Sequence, residues 1–258
     1  MKIAFRKPDD EFKFSDFENL ILSLDIDASG VALENLRATS RRKIYRLSCP
    51  RQLKKFIVKR YLLKPTDSLS KFKKYGLAEY VNYSEAIHRG IPVPNCCCYF
   101  EISNFGVKKS NGIVLESLDD YAVLSDLLVS KKINVLDALE LGLNAVHLLY
   151  LRGANHIDLH PGNMLVKGEN FKIIDWQYAS FLDPPDWRQV VFQLGVFLKS
   201  MGEIVGKEAI TDETVWLAYE QLQPPVIFSE FRAGIKKLMS LKKIPSKQRL
   251  DLDLNNIY

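Results

Sequence analysis

The residue types that could do chemistry concentrate in one short segment, 156–163, and in one acidic residue beyond it. The segment reads HIDLHPGN, so Asn163 follows Asp158 by five positions, and Asp175 comes after two short apolar runs. A carboxylate such as Asp158 can accept the proton of an alcohol. An amide oxygen and a second carboxylate supply the hard oxygen ligands that Mg²⁺ prefers. Together these groups are typical of phosphoryl transfer, in which a protein mainly positions the reactants and neutralises phosphate charge.

A lysine and a glutamate upstream indicate the nucleotide-binding half of the same chemistry. Lys59 lies in the middle of the apolar run FIVKRY (56–61), and Glu79 lies 20 residues later in a predicted helix that ends at Gly90. A strand lysine that contacts the α- and β-phosphates and is held by a helix glutamate is a recurring part of phosphotransfer sites. Glu85 is the competing glutamate of this helix, but six residues place it on the opposite side from Glu79.

The elements that must position these residues change in type along the chain. Strands are predicted early, at 43–47, 56–62 and 113–115, and a turn at 49–51 makes the first two an antiparallel hairpin. Short strands are also predicted at 164–166 and 171–174. Apolar spacing predicts helices at 12–24, 77–89, 124–131, 135–151, 188–201 and 214–222. Strands early and helices late predict an α+β fold with two unlike lobes, joined near residues 116–120.

The segments around the lysine and the glutamate carry a family resemblance. Residues 79–94 (EYVNYSEAIHRGIPVP) resemble the helix and turn shared by RIO-type kinases and bacterial lipopolysaccharide (Kdo and heptose) kinases, and so does RRKIYR (41–46) ahead of FIVKRY. The combined pattern most resembles the lipopolysaccharide kinases, from about residue 36 to residue 198. The resemblance implies a bilobal protein-kinase-like fold: an N-terminal extension (1–35), a small N-lobe of antiparallel sheet plus helix (36–116), and a mainly helical C-lobe (117–258).

The resemblance also implies ATP and Mg²⁺ as cofactors and a role for each site residue. Those roles are Lys59 as the phosphate-binding lysine, Glu79 as its partner, Asp158 as the catalytic base, Asn163 and Asp175 as metal ligands, His156 as the histidine that braces the catalytic loop, Asp186 as a buried aspartate that supports this loop, and Glu116 at the hinge where backbone groups meet adenine.

Three departures from eukaryotic protein kinases bear on the acceptor. The phosphate flap reads LRATSRR (36–42) and holds no glycine, so the backbone amides of Thr39 and Ser40, or an arginine side chain, would have to cover the phosphates. The motif after the strand is Asp-Trp-Gln, which argues against a flipping switch. Only ten residues separate Asp175 from Asp186, too few for a long activation segment. These departures favour a small or lipid-linked acceptor over a peptide.

Charge is distributed unevenly along the chain. The formal net charge is +5, but residues 37–75 hold 14 basic residues and one acid, which leaves the remainder at −8. Such a segment favours an anionic acceptor or contact with an anionic leaflet. The lysines expected to make that contact are Lys64, Lys71, Lys73 and Lys74. No nucleic-acid motif frames the segment, so nucleic acid is not an expected partner, and the sequence leaves the oligomeric state open.

The sequence also bears on location. It holds no apolar run of transmembrane length and no signal-peptide core, and the consecutive Cys96, Cys97 and Cys98 are expected to be reduced strand or loop residues. We therefore expect a cytoplasmic protein, with peripheral contact at the inner face of a bacterial cytoplasmic membrane as an extension of that expectation.

The leading hypothesis is an ATP- and Mg²⁺-dependent phosphotransferase that acts on a sugar hydroxyl of the lipopolysaccharide inner core. The alternatives are a RIO-like serine/threonine protein kinase, an antibiotic or other small-molecule kinase, and a nucleotide-binding pseudokinase scaffold. The presence of the lysine, the glutamate, the base and both metal ligands argues against the scaffold.

Overall fold

The structure, a computed structural model, describes residues 2–6, 33–49, 54–63 and 75–252 of the 258-residue chain. The helix predicted at 12–24, most of the turn at 49–51, and Lys64, Lys71, Lys73 and Lys74 lie outside the described residues. The chain divides into two compact units, one formed by Met1–Glu85 and Pro94–Leu118, the other by Ala86–Val93 and Asp119–Tyr258.

The first unit contains a six-stranded sheet in which all neighbouring strands are antiparallel. Its spatial order is β1-β5-β6-β4-β3-β2. The strands are β1 (Lys2–Arg6), β2 (Leu33–Ala38), β3 (Arg42–Cys49), β4 (Lys54–Leu62), β5 (Cys96–Asn104) and β6 (Val107–Glu116). The antiparallel hairpin predicted for 43–62 is therefore confirmed as β3 and β4.

The apolar side chains of this sheet explain its position in the unit. Phe56 and Val58 of β4 are fully buried, as are Ile113 and Val114 of β6. Bulky and β-branched residues favour a pleated, buried surface. The three consecutive cysteines lie in β5 and are buried, which confirms the interpretation of Cys96–Cys98 as apolar strand residues.

One helix, α1 (Tyr75–His88), begins in the first unit and ends in the second. Two hydrogen bonds explain why the turn after this helix belongs to the second unit. The N–H of Ile173 donates to the carbonyl of Pro92 (2.9 Å), and Nζ of Lys172 donates to that of Val93 (3.0 Å).

The second unit is mainly helical. Its helices are α2 (Leu124–Val129), α3 (Val135–Leu151), α4 (Arg188–Val205), α5 (Asp212–Leu222), α6 (Phe228–Ser240) and α7 (Ser246–Asp251). Its short strands are β7 (Ala122–Val123), β8 (Ala154–His156), β9 (Met164–Lys167), β10 (Asn170–Ile173) and β11 (Ala179–Phe181). They form the sheets β10-β9-β7 and β11-β8.

Helix α4 is the centre of this unit because it is buried over most of its length. Two glycines permit close approach to it. A Cβ at Gly142 of α3 would lie 2.3 Å from the Phe197 ring, and one at Gly195 would lie 2.6 Å from Leu238 of α6. Gln193 of α4 donates to the carbonyl of Ala154 (2.9 Å) and so ties the helix to β8, the strand that precedes 156–163.

The α+β composition predicted from the sequence is confirmed, with a strand-rich first unit and a mainly helical second unit. Of the helices that the structure describes, none combines the length and apolar character needed to cross a membrane.

Candidate active site

The first unit holds a buried ion pair between the strand lysine and the helix glutamate. Nζ of Lys59 in β4 lies 2.7 Å from Oε1 of Glu79 in α1, and the side chains are 7% and 0% exposed. The hydroxyl of Tyr61 donates to the other carboxylate oxygen of Glu79 at 2.5 Å. Both oxygens of a fully buried carboxylate are thus satisfied, as burial of a charge requires.

Close contact between α1 and β6 explains how the pair forms. The N–H of Gly76 donates to Oδ1 of Asn111 (2.9 Å), and a Cβ on Gly76 would lie 2.9 Å from the backbone of Gly112. Gly76 therefore lets the helix approach β6 next to Ile113, which pairs with Lys59. The partner of Lys59 is Glu79 rather than Glu85.

The second unit holds the loop that carries the proposed base. The peptide carbonyl of Asp158 accepts a hydrogen bond from Nδ2 of Asn163 (3.0 Å), so the amide group ties the two ends of the loop together. Nδ1 of His160 accepts from the N–H of Gly162 (3.0 Å), and its Nε2 lies 3.8 Å from Oδ2 of Asp158. The Asp158 side chain is 47% exposed, so it remains accessible to a substrate.

His156 joins this loop to the segment of Asp175. Its Nε2 lies 3.1 Å from the carbonyl of Ile174, and its ring meets that of Trp176 edge to face at 4.8 Å. Burial lowers the pKa of His156 to about 4, although the nearby carboxylates Asp175 and Asp158 act in the opposite direction. The imidazole is therefore neutral at neutral pH, and Nε2 donates to the carbonyl.

Asp175 has an uncommon backbone conformation, with φ 66° and ψ 60°. A non-glycine residue in the left-handed region costs about 1 kcal/mol or more and persists only where its surroundings impose it. Trp176 supplies part of that constraint. It is fully buried, donates from Nε1 to the carbonyl of Ile173 (3.0 Å) and stacks on Phe181.

The donor chemistry of Asn163 and Asp175 suits Mg²⁺ held jointly with phosphates. Because Nδ2 of Asn163 is used inside the loop, its amide oxygen is the atom left for a metal. Within the described ranges, no three His, Cys, Asp or Glu side chains cluster to hold a metal. Mg²⁺ usually binds one or two protein ligands together with substrate phosphates and water, and Asn163 and Asp175 would supply two.

Asp186 is not the buried, loop-supporting aspartate that the resemblance implied. Its side chain is 25% exposed and accepts from Arg188, through the backbone N–H (2.9 Å) and through the guanidinium. This contact lowers the pKa of Asp186 below its usual value. The prediction of a buried aspartate that supports the catalytic loop is therefore wrong, because a neighbouring arginine two residues away satisfies the carboxylate.

Arg249 of α7 supports the loop instead. Its Nη1 lies 3.0 Å from Oδ1 of Asp158 and also donates to the carbonyl of Ile157, and its side chain is 13% exposed. Asn155 donates to the backbone carbonyl of Arg249 at 3.0 Å. Sequence reasoning missed this residue because 91 positions separate it from Asp158. One signal was present: residues 232–249 hold seven basic residues and no acid.

The turn that takes the place of a glycine-rich flap is closed by Thr39. The N–H of Thr39 donates to the carbonyl of Arg42 (2.8 Å), and its hydroxyl oxygen accepts from the N–H of Arg42 (2.9 Å) and lies 3.4 Å from that of Arg41. The Thr39 amide is thus already used within the turn, and phosphate contact at Thr39 and Ser40 stays a prediction. Within the described part of the chain, Ser40 keeps an N–H without a partner, and Arg41 an exposed guanidinium without one.

At the end of β6, the backbone N–H groups of two residues are also committed. Glu116 donates to the carbonyl of Asn95 (2.9 Å), and Ser117 donates to that of Lys55 (3.0 Å). Glu116 can therefore offer adenine only its carbonyl. Leu118 has the next N–H, which has no partner among the residues that the structure describes.

Comparison with solved structures identifies the fold. A structure of WaaP in complex with acyl carrier protein matches 98% of this chain and 100% of its own, with a TM-score of 0.60 and 15% sequence identity. The chain has a protein-kinase-like fold. This fold is similar to that of WaaP, in agreement with the fold that the sequence resemblance implied. A kinase domain of ROP18 in complex with AMP-PNP and sucrose also matches, with a TM-score of 0.49 and 13% identity over 92% of this chain and 87% of its own.

No protein-family profile matches the chain. No curated protein sequence matches it either. The resemblance therefore lies in the fold and in the short motifs rather than in overall sequence.

Proposed function

We propose that this protein is an ATP- and Mg²⁺-dependent phosphotransferase that acts on a sugar hydroxyl of the lipopolysaccharide inner core. The observation that carries the enzyme class is the buried Lys59–Glu79 ion pair. Burying two charges gives little or no net stability, so a fold gains little from such a pair without a use for it. Binding of nucleotide phosphates by Lys59 is that use.

The proposed reaction assigns one role to each of these side chains. Lys59 binds the α- and β-phosphates and is held in place by Glu79. Asn163 and Asp175 would hold Mg²⁺, which would neutralise phosphate charge. Asp158 accepts the proton of the acceptor hydroxyl while the hydroxyl oxygen attacks the γ-phosphorus. The bond between this phosphorus and the oxygen that leaves with ADP breaks in the same step.

The segment after Asp175 supports an acceptor smaller than a protein. Trp176–Tyr178 form a 3₁₀ turn, and β11 then pairs with β8, so the stretch before Asp186 is held against the catalytic-loop strand. This arrangement leaves little chain for a peptide-docking platform. It favours the sugar or another small acceptor over the RIO-like alternative.

Three exposed lysines close to Arg249 in the sequence favour an anionic acceptor. Lys242, Lys243 and Lys247 are exposed and have no partner in the described part of the chain. Lys247 lies on the same short helix as Arg249, which contacts Asp158. Inner-core sugars carry carboxylates and lipid A carries phosphates, so their charge is opposite to that of these lysines.

The test is phosphate transfer from ATP to Kdo-containing lipid A, followed by mass spectrometry of the product. We expect the wild type to add one phosphate in the presence of Mg²⁺, and Asp158→Asn to lose transfer while still binding ATP. Free sugars, an aminoglycoside and a generic protein substrate serve as competing acceptors. Transfer to one of these and not to Kdo-containing lipid A would overturn the substrate. Near wild-type transfer by Asp158→Asn would remove Asp158 as the base.

A further inference from the structure

The catalytic loop has a partner in the last described helix that the proposed reaction has not used. Arg249 contacts one residue of β8 and two residues of the loop. Its backbone carbonyl accepts from Asn155, and its guanidinium contacts the carbonyl of Ile157 and Oδ1 of Asp158. The guanidinium also lies 3.3 Å from the hydroxyl of Ser246.

The burial of Arg249 is unusual for an arginine on so short a helix. The side chain is 13% exposed, and its Nε is buried without a hydrogen-bond partner among the described residues. A buried N–H that makes no hydrogen bond costs about 1–3 kcal/mol. This arrangement is therefore not explained by stability alone.

The geometry around Asp158 shows what the arginine does to the carboxylate. Oδ1 faces Arg249 at 3.0 Å, whereas the contact of Oδ2 with His160 is longer, at 3.8 Å. A charged hydrogen bond from Nη1 to one oxygen restricts rotation of the carboxylate. Oδ2 is then the oxygen presented to an acceptor hydroxyl.

We propose that Arg249 is a positioning residue, which holds the Asp158 carboxylate in the orientation that phosphoryl transfer requires. The proposal rests on the proposed function, because it assigns Arg249 a part in the same step. Arg249 acts through Asp158 and does not itself contact the reacting atoms.

The experiment compares Arg249→Ala, Arg249→Lys and Arg249→Gln with the wild type in transfer from ATP to Kdo-containing lipid A. We expect Arg249→Ala to lower kcat by about 10- to 100-fold, because small misplacement of a catalytic group has effects of that size. The KM for ATP should change less than twofold, since Lys59, Asn163 and Asp175 are intact. Guanidinium ion added to Arg249→Ala should restore part of kcat, and Arg249→Lys should lie between Ala and wild type.

Arg232→Ala is the matched control. Arg232 also pairs with an aspartate, Asp212, at an exposed position on α6. The Arg232→Ala substitution should leave kcat within twofold of the wild type. The thermal midpoint of this variant measures the effect of losing an exposed Arg–Asp pair.

The outcomes separate the two proposals. A wild type that transfers phosphate and an Arg249→Ala variant with unchanged kcat would overturn the positioning role alone. The same follows if Arg249→Ala loses activity only in proportion to its unfolded fraction, with no restoration by guanidinium. A wild type that transfers phosphate to no acceptor would overturn the proposed function and the positioning role with it.

Discussion

At the scale of single residues, Lys59 is paired with a carboxylate that lies 20 positions away in the sequence. Its ammonium contacts Glu79, and Glu79 also accepts from Tyr61, so three side chains share one buried polar site. Removing one partner of a buried pair leaves an uncompensated charge, which typically destabilises by about 3–5 kcal/mol.

This predicts different behaviour for a single and a double substitution. Lys59→Met should lower the free energy of unfolding by about 3–5 kcal/mol, because Glu79 stays buried without its cation. Adding Glu79→Gln should recover much of that loss, because the charge is then gone. Urea denaturation measures both variants. If Lys59→Met is as stable as the wild type, the buried pair does not exist in solution.

A phosphate-transfer assay separates the effect of this pair on stability from its effect on activity. The double variant should fold and yet transfer no phosphate, since the phosphate-binding ammonium is missing. Wild-type transfer by the double variant would contradict the role of Lys59.

At the scale of elements, the catalytic loop is held between β8 and β10 by one buried imidazole. His156 bridges from the end of β8 to the carbonyl of Ile174, and Trp176 packs on its ring. Burial lowers the pKa of His156 to about 4, below its unfolded value of about 6.5. The unfolded chain therefore binds the proton more tightly than the folded protein.

The contribution of His156 to the free energy of unfolding should therefore be complete above about pH 6.5. It should decrease as the pH is lowered from about 6.5 to 4. For metal-free protein in chelator, this histidine should remove about 1 kcal/mol of unfolding free energy between pH 7 and pH 5.5. Denaturation at the two pH values measures the loss. His156→Gln, which is less stable at pH 7, should show a smaller pH dependence. An equal pH dependence in the variant would assign the effect to other groups.

At the scale of the whole molecule, the proposed site needs nucleotide and metal together. Asn163 and Asp175 would supply only two protein ligands, so Mg²⁺ in the proposed site would also need phosphate oxygens. Neither ATP alone nor Mg²⁺ alone should therefore stabilise the fold as strongly as ATP and Mg²⁺ together.

We expect ATP with Mg²⁺, at about 100 times its dissociation constant, to raise the thermal midpoint by about 5–10 °C. ATP with EDTA should raise it much less. Asp175→Asn should lose most of the Mg²⁺-dependent part, whereas Asp120→Asn, which removes an exposed pair with Lys167, should keep it. Equal shifts with and without Mg²⁺ in the wild type would contradict the metal assignment.

The sequence by itself determined the local parts of this protein. Helix α3 begins and ends where apolar spacing placed it, at 135 and 151, because a periodic run of that length specifies its own structure. The resemblance read from two short segments predicted the fold that the comparison with WaaP confirms. The residues at 156–163 and Asp175 were recognisable because their spacing along the chain is short.

Tertiary structure alone decided which groups meet. Thr39 closes its own turn, Asp186 pairs with Arg188, and Arg249 reaches Asp158 across 91 positions. Single-sequence patterns report periodicity and spacing within a segment. They do not indicate which distant donor forms a hydrogen bond with a given buried acceptor. For Asp158, that donor depends on how α7 packs against the catalytic loop.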